Sequence, residues 1–143
     1  MNRYIEEFKK DQIKVTRTRA EMLDIFLQTS EPINAVKILE ILHKKDPIIN
    51  KTTVYRELDF LLDKNIIKEI FINGKTQYYE IADSNEHHHM ICKNCMKIED
   101  FIPNKELEQS IEELAKKLKK KNSFEVSEHA LEFFGLCINC QNK

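Results

Sequence analysis

Tryptophan is absent from the 143-residue sequence, which also has only 2 glycines and 3 prolines. No apolar run approaches the roughly 20 residues that a membrane-spanning helix needs, and the N-terminus lacks the apolar segment of a secretory signal peptide. Hydrophobic residues make up 41% and charged residues 33% of the chain, so it is neither low-complexity nor disordered. We expect a soluble cytoplasmic protein of one or two small domains, without membrane association.

A strong charge of either sign is also missing, because 23 Lys and Arg residues balance 24 Asp and Glu residues to give a net charge of −1. Composition alone therefore does not indicate a nucleic-acid partner. The sequence contains no P-loop, no G-x-G-x-x-G, no H-E-x-x-H and no deaminase-type H-x-E with P-C-x-x-C. We expect neither an enzyme nor an organic cofactor.

The first half of the chain has the apolar spacing of helices, followed by a change of period. Helices are predicted near residues 4–9, 17–28, 35–45 and 51–64. Two β-type runs then follow at 66–72 and 75–81, and Asn73-Gly74 between them is the preferred dipeptide of a type I′ hairpin turn. Helices followed by one hairpin are typical of a winged helix, that is, a helix-turn-helix with the hairpin as its wing. A helical bundle capped by a hairpin shares this pattern.

Polar residues after the second run predict a hinge at 83–86, between a domain at 1–82 and a domain at 87–143. The second domain reads as a small α/β unit. Its predicted elements are strands at 87–92 and 96–102, a helix carrying Leu107, Ile111, Leu114 and Leu118, and a weakly alternating last strand at 123–136. The fold class predicted for the chain is α+β. The lysines at 116, 117 and 119–121, at the end of the helix, are interpreted as a solvated helix terminus.

Cysteine is absent from the first 91 residues, and all 4 cysteines then occur as two C-x-x-C pairs, Cys92 with Cys95 and Cys137 with Cys140. Because the cytosol keeps thiols reduced, such pairs favour metal ligation over disulfides. Four thiolates suit tetrahedral Zn²⁺, whereas a redox dithiol needs only one pair. The ion would connect the first strand of the second domain to its last residues.

Three consecutive histidines, His87, His88 and His89, precede the first cysteine pair. On a strand, alternation places His87 and His89 on one face and His88 on the other, so two non-equivalent sites are predicted. His129, predicted on the last strand, is the other histidine of this domain. Nearby carboxylates are Glu80, Glu86, Asp100 and Glu108. Mixed nitrogen and oxygen ligation suits Fe²⁺, Mn²⁺ or Zn²⁺, although three exposed histidines beside a zinc site are the alternative.

Taken together, these motifs resemble the ferric uptake regulator family of metal-dependent transcriptional repressors. The resemblance lies in H-H-H-M-I-C-K-N-C at 87–95 with Phe101, G-L-C-I-N-C at 135–140, T-V-Y-R-E-L at 53–58 and V-T-R-T-R at 15–19. It covers nearly the whole chain in the right order. It implies an N-terminal winged-helix DNA-binding domain, a C-terminal dimerisation domain, and a homodimer that binds a palindromic operator when a metal corepressor is bound.

Carried over residue by residue, the resemblance makes 51–64 the recognition helix. The DNA contacts it implies are Tyr55 on thymine methyl groups and Arg56 on phosphate or base; Thr52 and Thr53 are expected to contact phosphates through their hydroxyls, as residues at helix N-termini commonly do. The residues alone allow Tyr55 to be a core residue instead. The implied structural zinc site is Cys92, Cys95, Cys137 and Cys140, and the implied regulatory site is Glu80, His87, His89 and Asp100.

An additional site is implied at His88, Glu108 and His129, with Glu106 as a rival to Glu108. One departure concerns the histidine that iron-sensing members place just before the second long helix, where this chain has Pro32 and Ile33. Glu31 is the nearest replacement.

Y-R-E-L-D-F-L-L at 55–62 looks closest to the zinc uptake regulator branch, whereas Asp100 is the acidic type found in peroxide-sensing members. The regulatory metal is left open between Zn²⁺ and Fe²⁺, with Mn²⁺ as a third candidate. Three further hypotheses also stay open: a peroxide sensor of the same family, a zinc-stabilised protein-interaction adaptor, and a metal-storage protein or metallochaperone.

Overall fold

Asparagine and threonine caps determine where the helices begin. The computed structural model describes residues 2–72, 76–82 and 87–142, with helices α1 (Arg3–Lys10), α2 (Arg17–Gln28), α3 (Ala35–His43), α4 (Lys51–Asp63), α5 (Lys105–Asn122) and α6 (Ile138–Gln141). The first five begin after Asn2, Thr16, Asn34, Asn50 and Asn104, whose side chains each accept a hydrogen bond from a first-turn backbone N–H. These bonds satisfy donors that a helix start otherwise leaves unpaired.

Five strands accompany these helices: β1 (Ile67–Ile72), β2 (Thr76–Ile81), β3 (His88–Cys92), β4 (Ile98–Phe101) and β5 (Glu132–Gly135). The chain divides into two compact units, residues 1–83 and 84–143. The mixed content of helix and strand agrees with the predicted α+β class. No helix within the described residues is both long and apolar enough to cross a membrane.

The first unit packs α1 to α4 and an antiparallel β1–β2 hairpin around one apolar core. Met22, Leu23, Ile38, Leu58 and Leu61 are the fully buried centre of this core, and they come from α2, α3 and α4. On α4 the spacing of three between Leu58 and Leu61 is that of one helix face. The α3–α4 pair is the predicted helix-turn-helix, and the hairpin follows it as the predicted wing. The turn at Asn73-Gly74 lies outside the described residues.

A short third strand segment in the first unit was not predicted. Ile33 forms an antiparallel bridge to Tyr79 on β2, with backbone N–O distances of 2.9 and 2.8 Å, and both side chains are buried. Ile33 therefore occupies a core position in this chain, at the place where iron-sensing members are expected to carry a histidine. Glu31 is exposed two residues earlier.

The second unit is a three-stranded sheet in the order β4-β3-β5, with β3 antiparallel to β4 and parallel to β5. The predicted strand at 123–136 was too long, because only Glu132–Gly135 is a strand. His129 therefore lies in irregular chain before β5, not on a strand. The predicted strand at 96–102 is shorter too, since Met96 adopts a left-handed conformation at φ 62° in the turn before β4. The predicted hinge at 83–86 lies outside the described residues.

Candidate metal centres and nucleic-acid interface

The four cysteines of the second unit converge on one point. Cys92 ends β3, Cys95 lies in the turn after it, Cys137 caps α6 and Cys140 lies within α6. Their sulfur atoms all lie within 4.8 Å of one another, with Cys95 and Cys137 3.7 Å apart. The hydrogen bond from the Lys93 backbone N–H to the Gly135 carbonyl, at 2.8 Å, keeps the two cysteine-bearing segments adjacent. The residues fit an ion that prefers four tetrahedral thiolates, which Zn²⁺ does.

The surroundings of the cysteine cluster favour the thiolate form of Cys92 and disfavour that of Cys140. Hydrogen bonds from the backbone of Cys137 and then of Cys95 lower the pKa of the Cys92 thiol to about 6. For Cys140, a side-chain hydrogen bond from Asn94 lowers the pKa, but the Cys137 thiol and burial outweigh it and raise the pKa to about 11. Because the thiolate is the form that binds metal, Cys92 offers a ligand at neutral pH without further deprotonation.

Asn94 was not predicted as part of this site. Its Nδ2 donates to the sulfur of Cys140 at 3.2 Å, from a position inside the first C-x-x-C pair. A hydrogen bond of this kind orients a metal ligand and stabilises its charged form. The sequence feature that could have indicated this role is the position of Asn94 between Cys92 and Cys95, where a side-chain amide lies close to the thiols.

A second group of donors lies on one face of β3 and β4. His89 and Asp100 are cross-strand partners, and His89 Nε2 lies 3.5 Å from Asp100 Oδ1. The rings of His87 and His89 are 5.0 Å apart between centroids and nearly perpendicular. One donor atom from each of these three residues lies within 4.8 Å of the other two. Two imidazoles and a carboxylate form a donor set that fits Fe²⁺, Mn²⁺ or Zn²⁺.

Glu80, the fourth residue of the predicted regulatory site, belongs to the first unit. It lies on β2 directly opposite Lys68 on β1, and its Oε1 is 3.1 Å from Lys68 Nζ. Only about a tenth of its side chain is exposed. Lys68 is a neighbour that the sequence analysis did not single out.

The opposite face of β3 carries a third group, as strand alternation predicts. His88 Nε2 lies 2.9 Å from Glu108 Oε1 in the first turn of α5, and its ring is 5.6 Å from that of His129. These three residues place one donor atom each within 4.8 Å of the others. Glu108 is therefore the glutamate that meets His88, and no interaction of Glu106 with this group is seen among the described residues.

The start of α4 presents polar and aromatic side chains to solvent. Thr52, Tyr55 and Arg56 are exposed, and Lys51 Nζ lies 5.7 Å from the centre of the Tyr55 ring. The exposed ring of Tyr55 argues against the core alternative. Thr53 differs from its neighbours because its hydroxyl donates to the Asn50 cap at 3.0 Å. Because the hydroxyl proton of Thr53 is engaged by Asn50, Thr53 helps to cap α4 in addition to the DNA contact predicted for it.

The opposite face of α4 is anchored by a largely buried ion pair that the sequence analysis missed. Arg19 Nε donates to Glu57 Oε2 at 2.8 Å and its Nη2 donates to Glu57 Oε1 at 3.1 Å, while Nη1 donates to the Lys14 carbonyl at 2.7 Å. The guanidinium also lies 3.6 Å from the centre of the Phe60 ring. This bidentate geometry connects α2 to α4 and orients the exposed face that carries Tyr55.

Tyr79 on β2 is buried close to the same helix. Burial, followed by the charge of Glu69 and by Tyr55 and Asp59, raises the pKa of Tyr79 to about 12. Its hydroxyl therefore stays protonated and neutral at all physiological pH values.

Comparison with known proteins agrees with this arrangement. A sequence model of the ferric uptake regulator family matches residues 10–134. The ferric uptake regulation protein of Staphylococcus epidermidis is 34% identical over 99% of this chain and 96% of its own length. The peroxide operon regulator of Bacillus subtilis is 29% identical over 97% of this chain and 92% of its own.

Among solved structures, the Helicobacter pylori ferric uptake regulator, described as having three functional metal-binding sites, superimposes with a TM-score of 0.79. It is 28% identical to this chain, and the match covers 97% of this chain and 89% of that one. The predicted family and the predicted absence of enzymatic activity are both confirmed, since the members are transcription regulators. The chain belongs to the ferric uptake regulator family of dimeric, DNA-binding, metal-responsive regulators.

Proposed function

We propose that this chain is a cytoplasmic transcriptional repressor of metal uptake and homeostasis genes, with a divalent metal as its corepressor. One observation carries this proposal: His87, His89 and Asp100 converge in a unit that is separate from the DNA-facing helix. A ligand bound in one unit can then control binding by the other, provided that its affinity differs between the two functional states.

For the four cysteines we propose a structural Zn²⁺ site. The donor set of Cys92, Cys95, Cys137 and Cys140 provides four thiolates and leaves no open coordination position for a reacting water. When bound, zinc contributes its binding free energy to folding of the unit. The four residues would hold the end of β3 to α6 and would keep the sheet closed around Ile91 and Ile98, which are both buried.

For the regulatory site we propose that Glu80 joins His87, His89 and Asp100 as a ligand of Zn²⁺ or Fe²⁺, with Mn²⁺ as a further candidate. The geometry of the three donors in the second unit supports this assignment, and the family resemblance adds Glu80. Nitrogen and carboxylate donors bind these ions more weakly than four thiolates do, so the site can equilibrate with cellular metal. Ligation by both units would fix the hinge predicted at 83–86.

The group formed by His88, Glu108 and His129 is proposed as an additional metal site of the dimerisation unit. The 2.9 Å contact between His88 and Glu108 supports this reading, and it also offers a metal-free role as a hydrogen bond between β3 and α5. Loss of this site would therefore affect the stability of the unit as well as its metal content.

We propose that two copies of α4 bind a palindromic operator through Thr52, Thr53, Tyr55 and Arg56. A recognition helix in the major groove reads base edges and thymine methyl groups, and a two-fold dimer requires two half-sites related by the same symmetry. Arg56 is exposed and always charged, which suits a phosphate or guanine contact. Tyr55 offers an exposed apolar ring edge for a methyl group.

A peroxide-sensing regulator is the second candidate function. Two findings favour it: Asp100 is a carboxylate that lies beside His89, and the peroxide operon regulator of Bacillus subtilis is similar to this chain over nearly all of its length. Family membership leaves the adaptor and metal-storage hypotheses without support. Mass spectrometry of the protein loaded with iron and exposed to peroxide would reveal oxygen added to His87 or His89 if the second candidate is correct.

The proposed repressor is tested by fluorescence anisotropy on DNA from upstream of its own operon, at fixed salt, with buffered Zn²⁺, Fe²⁺ and Mn²⁺ added separately. We expect tight binding with one of these metals and a steep loss of affinity as salt is raised. Binding that is equally tight without added metal would contradict the corepressor role.

Two matched pairs of variants make this experiment specific. Asp100→Asn should remove most of the metal dependence, whereas Glu99→Gln, on the same exposed strand but on its other face, should leave it unchanged. Arg56→Ala should weaken binding, whereas Lys64→Ala at the far end of α4 should change it little. Equal effects within either pair would contradict the assignment of that site.

A further inference from the structure

The carboxylate of Glu80 has a cationic neighbour in the first unit. The register of the hairpin places Lys68 on β1 directly across from Glu80 on β2, and Lys68 Nζ lies 3.1 Å from Glu80 Oε1. Side chains of directly opposed residues point to the same face of a hairpin, so the contact follows from the backbone pairing and not from a chance rotamer. The adjacent pair on the other face is Glu69 with Tyr79.

The two partners differ in exposure. About 41% of the Lys68 side chain is exposed, but only 10% of the Glu80 side chain is. The lysine can therefore move away into solvent, whereas the carboxylate stays in place. An ion pair of this type contributes little to stability, because the exposed partner is well hydrated and screened.

A positive charge at 3.1 Å matters more for a cation that binds the same carboxylate. The ammonium group of Lys68 lies beside one oxygen of Glu80, and its charge repels a divalent ion that approaches this carboxylate. Metal binding must either displace the ammonium group or tolerate it. Both alternatives lower the affinity for metal relative to a site in which Glu80 has no such partner.

We infer that Lys68 is a positioning residue that competes with the regulatory metal for Glu80 and thereby sets the metal concentration at which the regulator responds. The inference rests on the proposed function, in which Glu80 is a ligand. It assigns to the wing of the first unit a role in metal sensitivity, in addition to any contact the wing makes with DNA.

The test is a chelator-buffered Co²⁺ titration of the full-length, zinc-loaded protein, followed by the visible absorption of bound Co²⁺. Lys68→Met keeps the apolar stem and removes the charge, so we expect Co²⁺ to bind about threefold to tenfold more tightly. Lys68→Gln serves as a second neutral variant and should give the same direction. Lys68→Arg keeps the charge and should leave the affinity close to that of the unmodified chain.

Two further variants separate the possible outcomes. Lys37→Met removes a lysine of the same unit that pairs with Glu40 on α3 at 3.3 Å, and it should leave Co²⁺ affinity unchanged. In a Glu80→Gln background, the effect of Lys68→Met should disappear, because the competition acts through that carboxylate. The unfolding temperatures of the Lys68 variants should stay close to that of the unmodified chain, because an exposed ion pair contributes little to stability.

An unchanged or weaker affinity in both neutral Lys68 variants, with Glu80→Gln still impairing metal binding, would overturn this inference and leave the proposed site intact. Full Co²⁺ affinity in Glu80→Gln would instead remove Glu80 from the proposed site, and the inference would fail with it. Equal tightening by Lys37→Met would show a general charge effect and would also overturn the role assigned to Lys68.

Discussion

The two units of this chain bury their apolar residues very differently. Among the described residues, 16 buried hydrophobic side chains lie in the first unit, and only Ile91, Cys92 and Ile98 lie in the second. The long helix α5 has no buried residue at all. Large exposed hydrophobic side chains show the reverse distribution, with five in the first unit and nine in the second.

This difference indicates two sources of stability. The first unit has a closed core of its own, formed by four helices and a hairpin. The second unit has a small sheet, two buried histidines and four converging cysteines, so the burial of apolar surface contributes less there. Small units with little core generally require a metal or a partner chain to fold stably. A family of dimeric, metal-binding regulators supplies both.

The largest effect is expected from breaking the cysteine cluster. Cys95→Ser removes one of four thiolates, and structural zinc sites contribute on the order of 10 kcal/mol to folding of the domains that contain them. We expect the second unit to lose its folded state and the dimer to dissociate, while the first unit keeps its structure. Two-dimensional NMR of the isotopically labelled protein reports on both units at once. Asn139→Ser, a neighbouring exposed residue, is the control, and a folded, zinc-free second unit in Cys95→Ser would contradict the account.

The next largest effect is expected in the core of the first unit. Leu58 is fully buried on α4, so Leu58→Ala should lower the free energy of unfolding of this unit by about 2 to 5 kcal/mol through lost burial and a residual cavity. Urea unfolding, followed by residue-resolved signals from each unit, measures the change. A cost below about 0.5 kcal/mol would show that the core is looser than described.

A smaller effect is expected from the polar anchor of α4. Glu57→Gln leaves Arg19 without its carboxylate in a largely buried setting, and we expect a loss of about 2 to 3 kcal/mol together with weaker operator binding. Glu40→Gln breaks an exposed pair on α3 and should cost less than about 0.5 kcal/mol. The same measurements apply, and equal costs for the two variants would mean that the Arg19 pair does not orient α4.

The smallest effect is expected for a leucine on the long helix of the second unit, Leu114, which is exposed where Leu58 is buried. Leu114 on α5 is 56% exposed within a single chain. If no other chain covers it, Leu114→Ala should change the unfolding free energy of the second unit by less than about 0.5 kcal/mol. Urea unfolding at several protein concentrations measures this value. A cost as large as that of Leu58→Ala would show that this helix face is covered in solution, and its dependence on concentration would identify a second copy as the cover.

Local sequence patterns predicted most of the elements and the grouping of the donors. Strand alternation separates His88 from His87 and His89, and the two C-x-x-C pairs meet as their spacing suggests. The apolar spacing of the helices and its change to β-type spacing were sufficient to order the elements of the first unit.

Contacts between residues far apart in the chain could not be predicted from local sequence patterns. The Arg19–Glu57 pair spans 38 positions, and the bridge to Tyr79 on β2 comes from Ile33, a residue that carries no local strand signal. The last strand was predicted too long because residues 123–130 alternate weakly but pair with no strand in the described part of the chain, and pairing with β3 stabilises only Glu132–Gly135. Lys68 is an ordinary surface residue by type, and its contact with Glu80 is seen only in the structure.

The central claim is that metal bound by the second unit and DNA bound by α4 stabilise the same state of the protein. The most direct test is the affinity of the zinc-loaded protein for its regulatory metal, measured with and without operator DNA. Linkage requires DNA to tighten metal binding by the same factor by which metal tightens DNA binding, about 5-fold to 150-fold for a typical coupling. Equal metal affinities in the presence and absence of DNA would contradict the account.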